Sequence, residues 1–351
     1  MERSPFLQLM RFVAAALVLC THATFYYHER VSHALAIWHF GEVGVPIFFV
    51  ISGIVMVTSS RGLSLDSAGA KQFILRRLIR IVPLWWLALG VKVAISLGRP
   101  DVVHHNHFDI TDAIKSLFFI PYFDAQHTVT PFHGVGWTLL HEMQFYLLFS
   151  ASLVFRLRPE WAASAVIVGL WVAGTQWSID SPFWVVATSA HNLHFVLGMF
   201  VGALVMRNDI ARIAPGVGTL ALGAAVLAYL GFLDLKISRP DDIPIVLIFA
   251  AAALVFTVRA LPAFFRPLSR LGDSSYSLYL FHPFIAPAVI LGLARLWPGM
   301  QAWLLLMLAI LLTTALAHAL HLLVEIRIVR AAREHLLGKP GRAAQPHRPA
   351  G

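Results

Sequence analysis

Runs of about twenty apolar residues recur along this chain, and that recurrence limits its folds more than any other feature. A helix crossing a bilayer needs roughly 20 mostly apolar residues, and it satisfies its own backbone polar groups on the way. Ten such runs lie near residues 6–27, 40–59, 74–97, 134–155, 161–178, 190–206, 216–233, 243–258, 274–294 and 301–325. Composition agrees, with 58% hydrophobic and 13% charged residues and a mean hydropathy of +0.73. Soluble domains are nearer half apolar and about a quarter charged. The expected fold class is all-α, a polytopic membrane protein with about ten transmembrane helices. The apolar run through Leu17-Val18-Leu19-Cys20 is not expected to be a cleaved signal. Leu19 is too large for the position before a lipoprotein cysteine, and the run continues beyond it. With Cys20 as the single cysteine, an intrachain disulfide is impossible.

Charge orients the spans. With the N-terminus placed in the cytoplasm, twenty of the 27 Lys and Arg fall on the cytoplasmic side, and the bias recurs loop by loop. Both termini are therefore expected inside. The net charge of +9 is read as this loop asymmetry, with no nucleic-acid partner. Residues 1–335 are expected to form one membrane domain. Residues 336–351, rich in Pro, Gly, Ala and Arg, are expected to be a disordered cytoplasmic tail. The longest outside loop, 98–133, carries the apolar patch SLFFIPYF. The patch is too short to span and is expected to lie at the interface or re-enter. His104, His105 and His107 in the same loop lack a defined ligand spacing, and no metal site is expected.

Polar residues inside apolar spans carry the functional signal. Arg11 and His22 are eleven residues apart, which at 100° per residue puts them on one helix face about 16 Å apart. Two readings stay open for this pair. Arg11 snorkels to headgroups while His22 bonds a backbone carbonyl, or both face a site. Arg76, Arg77 and Arg80 run into the third span. Anchoring explains one or two of them, and three in five residues suit a phosphate site. His141 and Glu142 are adjacent within the fourth span. Glu142 is expected near the depth of His22, where a carboxylate can orient an imidazole and stabilise its cation. His141, about 100° away around the helix, is expected to matter less. Gly44, Ser52 and Gly53 read as close-packing residues. Gly272-Asp273-Ser274 reads as a helix start capped by Asp273 or Ser274 rather than a hydrolase nucleophile. His282 is compatible with a structural role, and His318, His321 and Glu325 form a possible polar seam.

Arg11 with His22, GVPIFFVISG, RRLIRIVP, GWTLLHEMQFYLLF, LGDSSYSLYLFHP and the late Glu325, in this order, resemble the bacterial membrane acyltransferase 3 family. LFFIPYF and GVGWTLLHEMQFYLLF look most like its ExoZ-type exopolysaccharide acetyltransferases. The resemblance spans about residues 5–330. It implies transfer of an acyl group, usually acetyl, from cytoplasmic acyl-CoA to a glycan hydroxyl, in the bacterial inner membrane. The acceptor would be an exopolysaccharide or a lipid-linked oligosaccharide precursor. It carries over Arg11 and His22 as the Arg-x10-His pair, Arg77 and Arg80 as the RxxR pair, and Glu142 as the buried acid. In that reading His22 and Glu142 are catalytic, and Arg11, Arg77 and Arg80 bind the acetyl-CoA phosphates. Some members append a hydrolase-like domain outside the membrane. This chain has no room for one, so the membrane core is expected to complete the transfer. The alternative is a proton-coupled transporter, which also buries His and Glu. It usually shows repeated halves or broken helices, and the sequence has neither.

Overall fold

A computed structural model of the chain describes residues 4–99, 108–206 and 265–338. Among these residues the secondary structure is helical, with turns and no strand. Helix α1 is Pro5–Arg30, α2 Gly44–Ser59, α3 Ser67–Gly98, α4 Ile110–Leu117, α5 Trp137–Val154, α6 Pro159–Gln176, α7 Pro182–Thr188 and α8 Leu193–Val205. Then follow α9 Arg266–Leu271, α10 Ser275–Leu296, α11 Ala302–Leu320 and α12 Ile326–Leu337, the last two joined by a π-helical turn at His321–Glu325.

Local chemistry sets the helix starts. Pro5, Pro159 and Pro182 stand in the first turns of α1, α6 and α7, where a missing N–H costs nothing. The Asp66 carboxylate caps α3 by accepting from the Gly69 N–H at 2.8 Å. Asp109 caps α4 through Thr111 and Asp112. Ser274 stands at the cap position of α10, as expected, but its hydroxyl makes no cap bond. It donates instead to the Leu271 carbonyl at 2.8 Å.

Among the described residues, six helical stretches are long and apolar enough to cross a membrane: Pro5–Arg30, His39–Ser59, Ser67–Gly98, Pro182–Val205, Arg266–Leu296 and Ala302–Leu337. The stretch that begins at Pro182 is interrupted before the expected 190–206 span, since α7 and α8 are separated by a short 3-10 turn at Ala190–Asn192. At the spans expected near 134–155 and 161–178, the structure has α5 and α6, each of 18 residues. The spans expected at 216–233 and 243–258 lie outside the described residues, as do His104, His105, His107 and the tail beyond Gly338. Large apolar side chains such as Trp161, Leu311 and Trp303 are exposed on helix surfaces, which suits lipid rather than water. These features make the chain a membrane protein.

Helix α2 packs on α8 and α1, while α10 packs on α1 and α11, and α3 on α5. The main core joins them through ring stacks: Phe73 on Phe149 at 4.5 Å, Phe145 on Phe195 at 4.4 Å, and Phe49 against Phe195 at 4.5 Å. The patch at 116–123 folds back onto α3. Adjacent indoles on α3 hold it, with Trp85 donating to the Ser116 carbonyl at 2.9 Å and Trp86 to Leu117 at 3.0 Å.

The α2–α8 contact depends on two glycines. A Cβ at Gly53 would meet the Phe195 carbonyl oxygen at 2.4 Å, and one at Gly198 would meet the Val50 oxygen at 2.2 Å. Backbone cannot yield there cheaply, so Gly53→Ala and Gly198→Ala should each cost roughly 1–3 kcal/mol. Gly90 on α3 has open space around it, and Gly90→Ala should be neutral or stabilising by up to about 1 kcal/mol. Thermal midpoints of the three variants in detergent test this, and equal midpoints for all three would contradict the close contact.

Candidate functional site

Two cavities adjoin inside the bundle, and Val45 of α2 lines both. The first is lined by Arg11 of α1, Arg77 and Arg80 of α3, and Glu142 and Tyr146 of α5. The second is lined by His22, Phe25, His39, Glu42, Trp137 and His191 among others. Helix α1 runs past both, with Arg11 at one and His22 at the other. This is the one-face arrangement that the eleven-residue spacing predicts.

The arginine cavity gathers three cations from two helices. Arg11 has turned inward rather than toward headgroups, and its charge is felt by Arg80, Glu142 and Arg77. Arg77 donates to the Ser59 hydroxyl and lies over the Phe73 ring at 5.6 Å. Its Nε is buried without a hydrogen-bond partner. Arg76 is exposed and takes no part in the cavity wall, so the three-arginine cluster divides into two cavity residues and one surface residue. Glu142 accepts from Ser52 at 3.2 Å and from the Tyr146 hydroxyl one turn along α5. No ion pair within 4 Å joins Glu142 to Arg11, Arg77 or Arg80. Tyr276 and Tyr279 complete the wall, held by bonds of 2.9 Å to the Ile81 and Val135 carbonyls.

His22 makes the backbone-carbonyl bond of the first of the two readings and also lines a cavity, as the second requires. Its Nδ1 lies 2.9 Å from the Val18 carbonyl oxygen. A carbonyl only accepts, so Nδ1 carries the proton and Nε2 keeps its lone pair. Glu142 lines the other cavity, and its bonds go to Ser52 and Tyr146. The expected Glu142–His22 dyad is therefore absent from the hydrogen bonds that either residue makes. Equal depth on two helices did not guarantee facing directions. The carboxylate whose charge reaches His22 is Glu42, which shares the second cavity and bonds His39 at 2.7 Å. His141 is buried and bonds Asn192 at 3.0 Å, a packing role consistent with its rotation away from Glu142.

Sequence reasoning missed several wall residues. Ser52, read as a small packing residue, is a partner of Glu142. Tyr146 stood four residues after Glu142, a same-face spacing that could have found it. Trp137 and His191 carried no separate signal. The seam expected in the last span exists: His321 Nδ1 and the Ser277 hydroxyl both reach Glu325 Oε2, at 2.7 and 2.6 Å. His318 reaches Ser274 at 3.2 Å. Among the described residues, no group of three or more His, Cys, Asp or Glu is placed to hold a metal.

Comparison with known proteins gives the wider context. A family model described as an acyltransferase domain matches residues 4–322. The exopolysaccharide production protein ExoZ of Rhizobium meliloti is 31% identical over 92% of this chain and 99% of its own length. The acyltransferase MdmB of Streptomyces mycarofaciens is 28% identical over 92% of this chain and 91% of its own. The peptidoglycan O-acetyltransferase OatA of Listeria monocytogenes is 25% identical over 75% of this chain but only 47% of its own length. No solved structure matches.

Proposed function

The chain belongs to the acyltransferase 3 family of membrane acyltransferases, and from that premise we propose that it O-acetylates a glycan. The acyl donor is acetyl-CoA on the cytoplasmic side. The acceptor is a hydroxyl of an exopolysaccharide or its lipid-linked precursor, and the site is the bacterial inner membrane. The observation that carries this reading is one cavity lined by Arg11, Arg77 and Arg80, adjoining at Val45 a second cavity that holds His22. Names of relatives as O-acetyltransferases and transacylases argue against the proton-coupled carrier.

The arginine cavity suits an anion. Three guanidiniums against one carboxylate leave excess positive charge in a partly desolvated space, and guanidinium forks match phosphate oxygens. Glu142, held by Ser52 and Tyr146, tempers that charge and positions the cavity wall. This replaces its expected partnership with His22. In the second cavity, the Trp137 and Phe25 rings offer faces for a sugar, and His39, Glu42 and His191 offer polar partners. His22 Nε2 takes the hydroxyl proton as the oxygen attacks the acyl carbonyl. The thioester C–S bond then breaks, and the proton passes to the departing thiolate. A general base of this kind supplies roughly 10²–10⁴-fold.

The proposed topology is ten spans with both termini cytoplasmic, which the charge asymmetry supports. A reporter fused after Gly338 should be active only in its cytoplasmic form, and activity only outside the cytoplasm contradicts it.

Transfer of radiolabelled acetyl from acetyl-CoA to glycan by the purified protein tests the reaction. Arg77→Ala and Arg80→Ala should each weaken acetyl-CoA use by roughly ten- to a hundredfold, since charge-assisted contacts contribute about 1.5–3 kcal/mol. Arg76→Ala should leave it unchanged. Equal effects at all three positions would return the cluster to a role in anchoring.

His22→Ala should reduce O-acetylation to background at matched membrane expression. Full O-acetyl content of the cell's polysaccharide in that variant would remove His22 from the chemistry.

A further inference from the structure

His282 of α10 faces the proposed base. Its ring lies 4.7 Å from the His22 ring, centroid to centroid, at 66° between planes. It is 1% exposed. Its Nδ1 lies 3.2 Å from the Leu278 carbonyl oxygen, so Nδ1 carries the proton, as in His22. Its Nε2 is buried with no hydrogen-bond partner. Buried polar atoms are normally paired, and leaving one unpaired costs stability. The orphan acceptor therefore needs an explanation.

The two imidazoles supply one. In the resting pair, both ring N–H groups are committed to carbonyls four residues back on their own helices. Both Nε2 atoms are then acceptors, and two acceptors cannot bond one another. A proton added to His22 Nε2 changes that, because it makes a donor on the ring that meets His282, whose own acceptor has no partner; the two nitrogens make no hydrogen-bond contact in the resting pair and close on one another only when that proton arrives. We propose that His282 is a positioning residue whose Nε2 receives a hydrogen bond from protonated His22 and so holds the proton between acceptor deprotonation and its release. The balance is simple. The hydroxyl proton moves to His22 Nε2, is shared as N–H···N with His282, and leaves to the departing thiolate. No further reactant is needed. The role in turnover rests on the function proposed above, while the pairing itself does not.

The groups around the pair fit this assignment. Tyr26 lies 6.1 Å from His22 and Tyr279 6.1 Å from His282, both between ring centroids. The Tyr279 hydroxyl is already committed to Val135 and Thr138. Glu42 faces the His22 side through the shared cavity. His133, beyond His282, gives its Nε2 proton to the Leu280 carbonyl at 2.9 Å and is clamped between Trp85 and Phe284. None of these is bonded to the free nitrogen of His282.

The test is proton NMR of the full-length protein, labelled with 15N-histidine, in detergent across its folded pH range. A proton shared between two imidazoles resonates far downfield and is coupled to 15N. The wild type should show such a resonance on acidification without any acyl donor. His282→Phe, which keeps an aromatic ring and removes the acceptor, should lose it. In the acetyl-transfer assay, His282→Phe should lower kcat by roughly ten- to a hundredfold, the scale of a hydrogen bond to a charged group, with KM for acetyl-CoA unchanged. His282→Gln, whose amide oxygen can accept, should recover part of that loss. No downfield resonance in the wild type, or its survival in His282→Phe, overturns the pairing. If His282→Phe fails to fold, the wild-type spectrum alone decides. A protein that shows the resonance but moves no acetyl group keeps the pair and loses the reaction proposed for it.

Discussion

How closely α2 can approach its neighbours decides the rest of the interior. Gly44 lets it meet the backbone of α1 at Ala14, and Gly53 lets it meet α8. In a lipid environment such contacts are driven by packing rather than by expulsion of water, so small residues govern them. With α2 drawn in on both sides, its next residues become cavity wall. Val45 and Pro46 line the His22 cavity, and Phe48, Phe49, Ile51, Ser52 and Met56 line the arginine cavity. A bulkier residue at either glycine would push the wall outward and move Ser52 away from Glu142.

The arginine cavity shows how a membrane bundle can hold like charges together. Isolated cations in hydrocarbon are costly, and three of them repel. The bundle offsets this with one carboxylate, a ring face beneath Arg77, and a serine hydroxyl at its guanidinium. Compensation stops short of close ion pairing. Guanidiniums locked onto carboxylates would have little left for a ligand, and the absence of such a lock here is what the proposed anion site requires. Tyr146 and Ser52 hold Glu142 in place so that it lowers the charge without occupying it.

Much of this was legible in the sequence, and the limits were geometric. The positions of the six membrane-length stretches followed from apolar run length. The Arg11–His22 alignment followed from helical periodicity, which is reliable within one continuous helix such as α1. Periodicity alone did not select among Arg76, Arg77 and Arg80, because which face of α3 turns inward depends on α5 and α10; the family resemblance did, and its pair, Arg77 and Arg80, is the one that lines the cavity. The Glu142–His22 pairing was expected from similar depth on two helices. Depth carries no information about rotation, and Glu142 bonds Ser52 of α2 and Tyr146 of its own helix instead. His282 read as structural because its partner lies 260 residues away in sequence, across an α1–α10 contact that no local pattern announces. The break between α7 and α8 was not legible, since Pro182 marks where a helix begins but not where the next one resumes.

His22 and His282 share a device that has a separate consequence. Each ring gives its Nδ1 proton to a carbonyl one turn earlier on its own helix. In many enzymes the tautomer of a histidine is fixed by a side chain from elsewhere in the chain, and a substitution there can flip it. Here the selector is backbone, which no side-chain substitution can delete. The chemical identity of each nitrogen is thus inherited with the helix that bears it. Neighbouring helices can drift in sequence, and the cavity wall around His22 can change with them, while the same nitrogen of each ring stays basic.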